Sequence, residues 1–126
     1  MMEPLGKIKY VLIADDDPAI LDAMKMLLEF DGYTVETTQD GSEVAALVKL
    51  YLPRLLILDT LMSGVDGRDI CRKLRADPAT ASLAIIMISA TSDVKNSARD
   101  AGADDFITKP FELSELLSKV KKYIER

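Results

Sequence analysis

Histidine is absent from the 126 residues, and cysteine occurs once, at Cys71. Without histidine there is no imidazole base, no His-ligated zinc and no Ser-His-Asp triad, and a single thiol closes no internal disulfide. Whatever chemistry the chain performs must run on carboxylates, hydroxyls and lysine. Long apolar runs are missing too. Stretches such as Leu55 to Leu58 and Leu83 to Ile88 fall far short of the roughly 20 residues that span a bilayer. Met1 to Lys7 has no apolar core of the signal-peptide kind, so the expected location is the cytoplasm. An excess of positive charge is also lacking: sixteen basic against twenty-one acidic residues leave a net charge of −5. That balance works against a sequence-independent grip on nucleic acid or anionic lipid, and neither is expected as a direct partner.

What is present is enough apolar surface, 48% of residues, for one core. Tyr10 to Ala14, Leu55 to Leu58 and Ile85 to Ile88 are short continuous apolar runs, the pattern of central parallel strands covered on both faces. Thr34 to Thr38 and Phe106 to Thr108 are more polar or briefer and read as strands nearer the edges. Between them lie helical stripes. Ile20, Leu21, Met24, Leu27 and Leu28 form the first, opened by Asp17 as N-cap with Pro18 at the first helical position and closed by Gly32. Val44, Leu47, Val48 and Tyr51 form a second, and Ile70, Cys71 and Leu74 a third, in which Cys71 reads as a small buried hydrophobe. Val94, Ala98 and Ala101 make a weak fourth, and Leu113, Leu116, Leu117, Val120 and Ile124 a clear fifth. Strict βα alternation, five times over, predicts an α/β fold: an open, doubly wound parallel sheet with helices on both faces. A single domain over residues 1–126 is expected, with Lys7 to Arg126 as its folded core and no output domain within the chain.

In such a sheet, ligands bind outside the carboxyl ends of the strands, near the point where strand order reverses. Asp15 and Asp16 follow the first strand, Asp59 follows the third, Ser89 ends the fourth and Lys109 follows the fifth, so all five should converge on one edge. Three close carboxylates repel unless a cation neutralises them. An all-oxygen set of this size suits Mg²⁺, with Mn²⁺ able to substitute. An ionised Asp59 beside such a cation is a nucleophile toward phosphorus, and Lys109 and Ser89 are placed to bind phosphoryl oxygens.

Ile13-Ala14-Asp15-Asp16-Asp17-Pro18, Leu58-Asp59, Gly64-Val65-Asp66-Gly67, Ile88-Ser89-Ala90 and Thr108-Lys109-Pro110-Phe111 together resemble the CheY-like receiver domain of two-component response regulators, in order and over nearly the whole chain. The resemblance implies a flavodoxin-like (βα)5 fold with strand order 2-1-3-4-5. It implies Asp59 as phosphoacceptor, Asp15 and Asp16 in the metal pocket, and the Leu61 backbone carbonyl as a third metal contact. By the same likeness Ser89 is the switch hydroxyl, Lys109 the phosphate-contacting lysine, Phe106 the switch aromatic, and Lys109–Pro110 a cis peptide. The likeness further implies that Leu61 and Thr91 occupy the two positions that flank the line of water attack and tune the lifetime of the phosphorylated state. The implied function is a phosphorelay switch, loaded by a sensor histidine kinase or a histidine phosphotransfer protein. Its output passes through the surface of the fourth helix, fifth strand and fifth helix to a partner or output domain, as a monomer or a phosphorylation-dependent dimer. Ser63 and Ala84 depart from the family pattern, which often has proline at both places.

Three other readings compete. An aspartate-nucleophile phosphohydrolase usually carries a second aspartate two residues after the nucleophile as general acid. That position is Leu61, so the chain is not expected to be an enzyme beyond assisting its own phosphorylation and dephosphorylation. A nucleotide or flavin module would want a phosphate-cradling glycine loop after the first strand, where Asp15-Asp16-Asp17 offers repulsion instead. A docking-only receiver that has lost phosphorylation would not need the intact set of Asp15, Asp16, Asp59 and Lys109.

Overall fold

The computed structural model describes residues 10–62, 64–91 and 95–125. The proposed start of the core at Lys7, its end at Arg126, and the readings of Ser63 and Val94 lie outside the described residues.

Five strands, β1 (Tyr10–Ala14), β2 (Thr34–Thr38), β3 (Leu55–Asp59), β4 (Ala84–Ser89) and β5 (Asp105–Thr108), form one parallel sheet in the order 2-1-3-4-5. The helices between and after them are α1 (Pro18–Phe30), α2 (Val44–Tyr51), α3 (Gly67–Ala76), α4 (Lys95–Asp100) and α5 (Leu113–Ile124). Central strands read as unbroken apolar runs because both of their faces are covered, and alternate residues feed two separate cores. Val11, Ile13, Leu55, Ile57, Ile86 and Ile88 pack with Leu21, Met24, Leu28, Leu116 and Val120 of α1 and α5. Leu12, Leu56, Leu58, Ile85 and Met87 pack with Val48, Ile70, Leu74 and Ala98 of α2, α3 and α4.

Local signals set the helix ends. The Asp17 carboxylate accepts the Ala19 and Ile20 amides, at 3.0 and 3.4 Å, with Pro18 at the first helical position. Gly32, at φ +94°, takes the left-handed turn that ends α1. Two features differ from the sequence reading. Leu113, assigned to the apolar stripe of α5, is 47% exposed. It lines a groove of about 410 Å³ with Ile20, Met24 and Phe111 beside Lys109. In addition, the segment between β3 and α3 is not plain loop: Leu61–Met62 and Val65–Asp66 pair as a small antiparallel hairpin.

The strand register sets up the site. Ala14 pairs with both Thr38 and Leu58, Asp59 pairs with Ile88, and Ser89 pairs with Thr108. The residues ending or following β1, β3, β4 and β5 therefore emerge side by side at one edge of the sheet.

Candidate functional site

Asp15 follows β1, is 1% exposed, and is anchored by its amide to the Thr38 carbonyl at 3.1 Å. Its Oδ1 accepts the Asp17 amide at 2.9 Å. Asp59 ends β3 and is 5% exposed. Its Oδ1 accepts the Leu61 amide at 3.4 Å, and its Oδ2 accepts from the Lys109 ammonium at 3.3 Å. That ammonium also lies 2.8 Å from Asp15 Oδ2, as an ion pair outside hydrogen-bond alignment, so this buried oxygen has no aligned donor. The exposed Asp16 completes the cluster: one carboxylate oxygen from each of Asp15, Asp16 and Asp59 lies within 4.8 Å of the others.

One cation between two buried acids leaves an excess of negative charge, and the protonation behaviour reflects it. Burial pushes the Asp59 carboxyl up to about 6, with the Asp15 charge adding to the effect and Lys109 and the Leu61 amide opposing it. Burial alone would lower Lys109. The close ion-pair contact with Asp15 and the charge of Asp59 outweigh it and hold the ammonium above its ordinary value. An all-oxygen donor set with surplus negative charge and an undersatisfied buried oxygen fits a hard divalent cation.

A raised carboxyl binds its proton more readily folded than unfolded, so its ionisation opposes folding. Between the unfolded value of 3.8 and about 6, the native chain holds the extra proton and stability falls as pH rises. Without metal, Asp59 should therefore cost stability at pH 7, a cost relieved as pH drops through about 6 and gone below 3.8. At about 1.4 kcal/mol per pKa unit, the full span is roughly 3 kcal/mol. Urea unfolding of wild type and Asp59→Asn in EDTA, from pH 7.5 to 5, should show the difference between the two shrinking on acidification. A constant difference would contradict this account.

The other sequence-derived residues occupy distinct places. Ser89 is buried at the same edge, and its Oγ accepts the Thr91 amide at 3.2 Å while its carbonyl accepts the Lys109 amide at 2.7 Å. Thr91 and Leu61 have exposed side chains. The Lys109–Pro110 peptide is cis. Phe106 is half-buried and packs on the α2–α3–α4 core, where it lines a cavity of about 70 Å³ with Lys95, Arg99 and Asp105, away from the carboxylates. A cavity of about 510 Å³ lies at the opposite end of the sheet, against Leu52, Pro53, Ala84 and Ile124. It contains none of the clustered carboxylates.

Sequence reading missed two positioning residues. Gly67 opens α3, and a Cβ there would collide with the backbone carbonyl oxygen of Asp59. Its amide donates to the Thr60 carbonyl at 2.8 Å. Arg75 donates to the Gly102 carbonyl at 2.8 Å, the Ala81 carbonyl at 3.0 Å and Asp104 Oδ2 at 2.9 Å, tying the end of α3 to the loops before β4 and β5. The available signal for Gly67 was its type: glycine disfavours helices, yet here it stands at a helix start behind a capping aspartate.

Fold and site together define a receiver domain. The family model of the response regulator receiver domain matches residues 11–121, and the chain belongs to that family. It is 39% identical over 118 residues to the DNA-binding dual master transcriptional regulator RpaA of Synechocystis, covering 92% of this chain and 49% of that protein. It is 37% identical over 118 residues to the response regulator MprA of Mycolicibacterium vanbaalenii, covering 92% and 50%. The chain thus spans about half the length of the curated relatives it matches. A CheY-like receiver domain protein from Methanospirillum hungatei superposes with TM-score 0.86 at 31% identity, covering 94% of this chain and 95% of that one. The receiver domain of a signal transduction histidine kinase from Syntrophus aciditrophicus gives 0.85 at 33%, covering 93% and 90%. Among the described residues no helix is long and apolar enough to cross a membrane.

Proposed function

We propose that the chain accepts a phosphoryl group on Asp59 from a phosphohistidine protein, a sensor histidine kinase or a histidine phosphotransfer protein, and that this switches its surface between two states. The observation that carries the reading is the Lys109 ammonium between Asp15 and Asp59 at the sheet edge. A nucleophilic carboxylate, an acidic metal pocket and a cation for phosphoryl oxygens are thereby within a few ångströms of one another.

Mg²⁺ or Mn²⁺ would be held by Asp15, Asp16, Asp59 and the Leu61 carbonyl, and when bound supplies charge neutralisation for the incoming phosphoryl oxygens. An Asp59 oxygen forms the new O–P bond while the N–P bond of the donor breaks and its electron pair returns to the imidazole nitrogen. Lys109 offsets the charge on the transferred group. The Ser89 hydroxyl leaves the Thr91 amide to bind a phosphoryl oxygen, and Phe106 follows it inward.

Output is carried by the face of α4, β5 and α5. Its inner ties include Lys119 Nζ to Asp105 Oδ1 at 2.7 Å and the Tyr123 hydroxyl donating to Asp105 Oδ2 at 3.0 Å. A net charge of −5 supplies no general grip on DNA, so any effect on transcription runs through a partner or a joined domain. The chain is a regulatory phosphoacceptor and not a phosphatase, since the position two residues after Asp59 is an apolar Leu61 with no proton to give.

Incubation with a phosphorylated histidine phosphotransfer protein and Mg²⁺ should move label to the wild type and leave Asp59→Asn unlabelled. Label on both would place the acceptor elsewhere. Lifetime offers a second test. Leu61 is 66% exposed, lies two residues after Asp59, and has no side-chain polar atom to orient water. Leu61→Asn should shorten the half-life of the phosphorylated chain several-fold, followed as phosphate release after donor removal. An unchanged or longer half-life would count against the assignment.

A further inference from the structure

Arg68 follows the glycine that sits against the Asp59 carbonyl, and its guanidinium serves two elements at once. Nε and Nη2 grip the carboxylate of Asp66, at 2.9 Å to Oδ1 and 2.6 Å to Oδ2. Nη1 donates to Ser97 Oγ on α4 at 3.0 Å. Asp66 also accepts the Arg68 amide at 2.9 Å and closes the hairpin that begins at Leu61. Gly67 returns the chain to Thr60, next to Asp59, through its 2.8 Å amide bond. Continuous contacts thus run from the phosphoacceptor through Thr60, Gly67, Asp66 and Arg68 to α4.

The donor type matters here. A guanidinium is a rigid planar fork, so the nitrogen that holds Ser97 cannot move without turning the two that hold Asp66. The hydrogen bonds from Arg68 hold the Asp66 carboxyl below the usual carboxylate range, which keeps the grip charged at any neutral pH. Both side chains are only partly exposed, 26% and 30%, so solvent screening does not erase the interaction. A lysine in this place could satisfy Asp66 or Ser97, but its single ammonium lacks the geometry to brace one against the other.

We propose that Arg68 is a positioning residue that couples the segment after Asp59 to α4, so that displacement of either is transmitted to the other. It gives α4 a connection to the phosphoacceptor separate from the one through Ser89 and Phe106. Its signalling consequence rests on the phosphoacceptor reading; the coupling itself is a property of the chain without phosphoryl group or metal.

The test is amide hydrogen exchange on the full chain in EDTA, comparing wild type with Ser97→Ala, Ser97→Thr, Arg68→Lys and the Ala/Lys double variant. Ser97→Ala, although on α4, should speed exchange of the Gly67 and Arg68 amides. Roughly tenfold is expected for losing a charged-donor hydrogen bond, the factor that corresponds to about 1.4 kcal/mol. Arg68→Lys should speed the same amides and those of Lys95–Asp100. The double variant should add nothing further, and Ser97→Thr, which keeps the hydroxyl, should restore wild-type rates. If Ser97→Ala changes only α4 itself or nothing, if the two substitutions add, or if Ser97→Thr fails to restore, the coupling is refuted. Failure of wild type to take up a phosphoryl group would refute the phosphoacceptor reading and leave this result standing alone.

Discussion

Gly67→Ala is expected to lower the thermal midpoint by about 10 °C and to cripple phosphoryl uptake, although it adds a single methyl group to a residue with no side chain to lose. The added Cβ meets the backbone carbonyl oxygen of Asp59, an obstacle that no rotamer change removes. Relief requires moving either α3 or the end of β3. Moving α3 opens the core around Ile70, Cys71 and Leu74, all buried. Moving β3 displaces Asp59, the proposed phosphoacceptor, and weakens the 2.8 Å bond from Gly67 to Thr60. Overpacking of this kind costs about 3 kcal/mol, at the upper end because the partner is backbone, and each kcal/mol shifts the midpoint of a domain this size by roughly 3 to 5 °C. Gly64→Ala is the control. Gly64 sits at φ +85° with open space around its Cβ direction, so alanine there should cost only the left-handed conformation, about 1 kcal/mol. Thermal melts of the two variants should separate them clearly. Equal midpoints would show that α3 does not press on Asp59.

Lys109→Met is the second large effect. The ammonium is the cation shared by Asp15 and Asp59, at 2.8 and 3.3 Å, and methionine keeps most of the stem while removing the charge. Loss of one preorganised donor to a transferring group typically slows the chemical step by about 10²- to 10³-fold, and that is the expected fall in the rate of uptake from a small phosphodonor. In the metal-free chain the same substitution removes a force that lowers the Asp59 pKa, so Asp59 should titrate above about 6. Removing one partner of a buried ion pair costs about 3 to 5 kcal/mol when the site is sealed. Here Lys109 is 18% exposed and Asp59 can protonate, so roughly 2 kcal/mol is expected at pH 7, less at pH 5. Lys109→Arg, which restores charge but not shape, should recover stability more than rate. Unchanged uptake in Lys109→Met would remove Lys109 from the mechanism.

Much of this was legible in the sequence because it depends on short-range pattern. Apolar runs such as Leu55 to Leu58 and the α1 cap formed by Asp17 and Pro18 announce their elements locally. The rule that ligands collect at strand carboxyl ends then brings Asp15, Asp59, Ser89 and Lys109 to one edge. What stayed hidden has a common physical cause. The Leu61–Asp66 hairpin has two residues per strand, too few for any periodicity to register. The stripe containing Leu113 is real, but a stripe states which face is apolar and not whether each turn of it is covered, so its first member lines a groove. Gly67 against Asp59 and Arg68 against Ser97 join elements through tertiary geometry, and the second pair is separated by 29 positions. Residue type hinted at the glycine; nothing local marked the arginine.

In the proposed mechanism Asp59 takes a phosphoryl group with the help of a divalent cation. Its most direct test is the intact mass of the chain after incubation with acetyl phosphate and Mg²⁺, beside an EDTA sample and Asp59→Asn. The wild type with Mg²⁺ should gain one phosphoryl group, and neither control should gain any. A wild type that binds Mg²⁺ yet gains no mass, or an Asp59→Asn chain that gains as much as wild type, would contradict it.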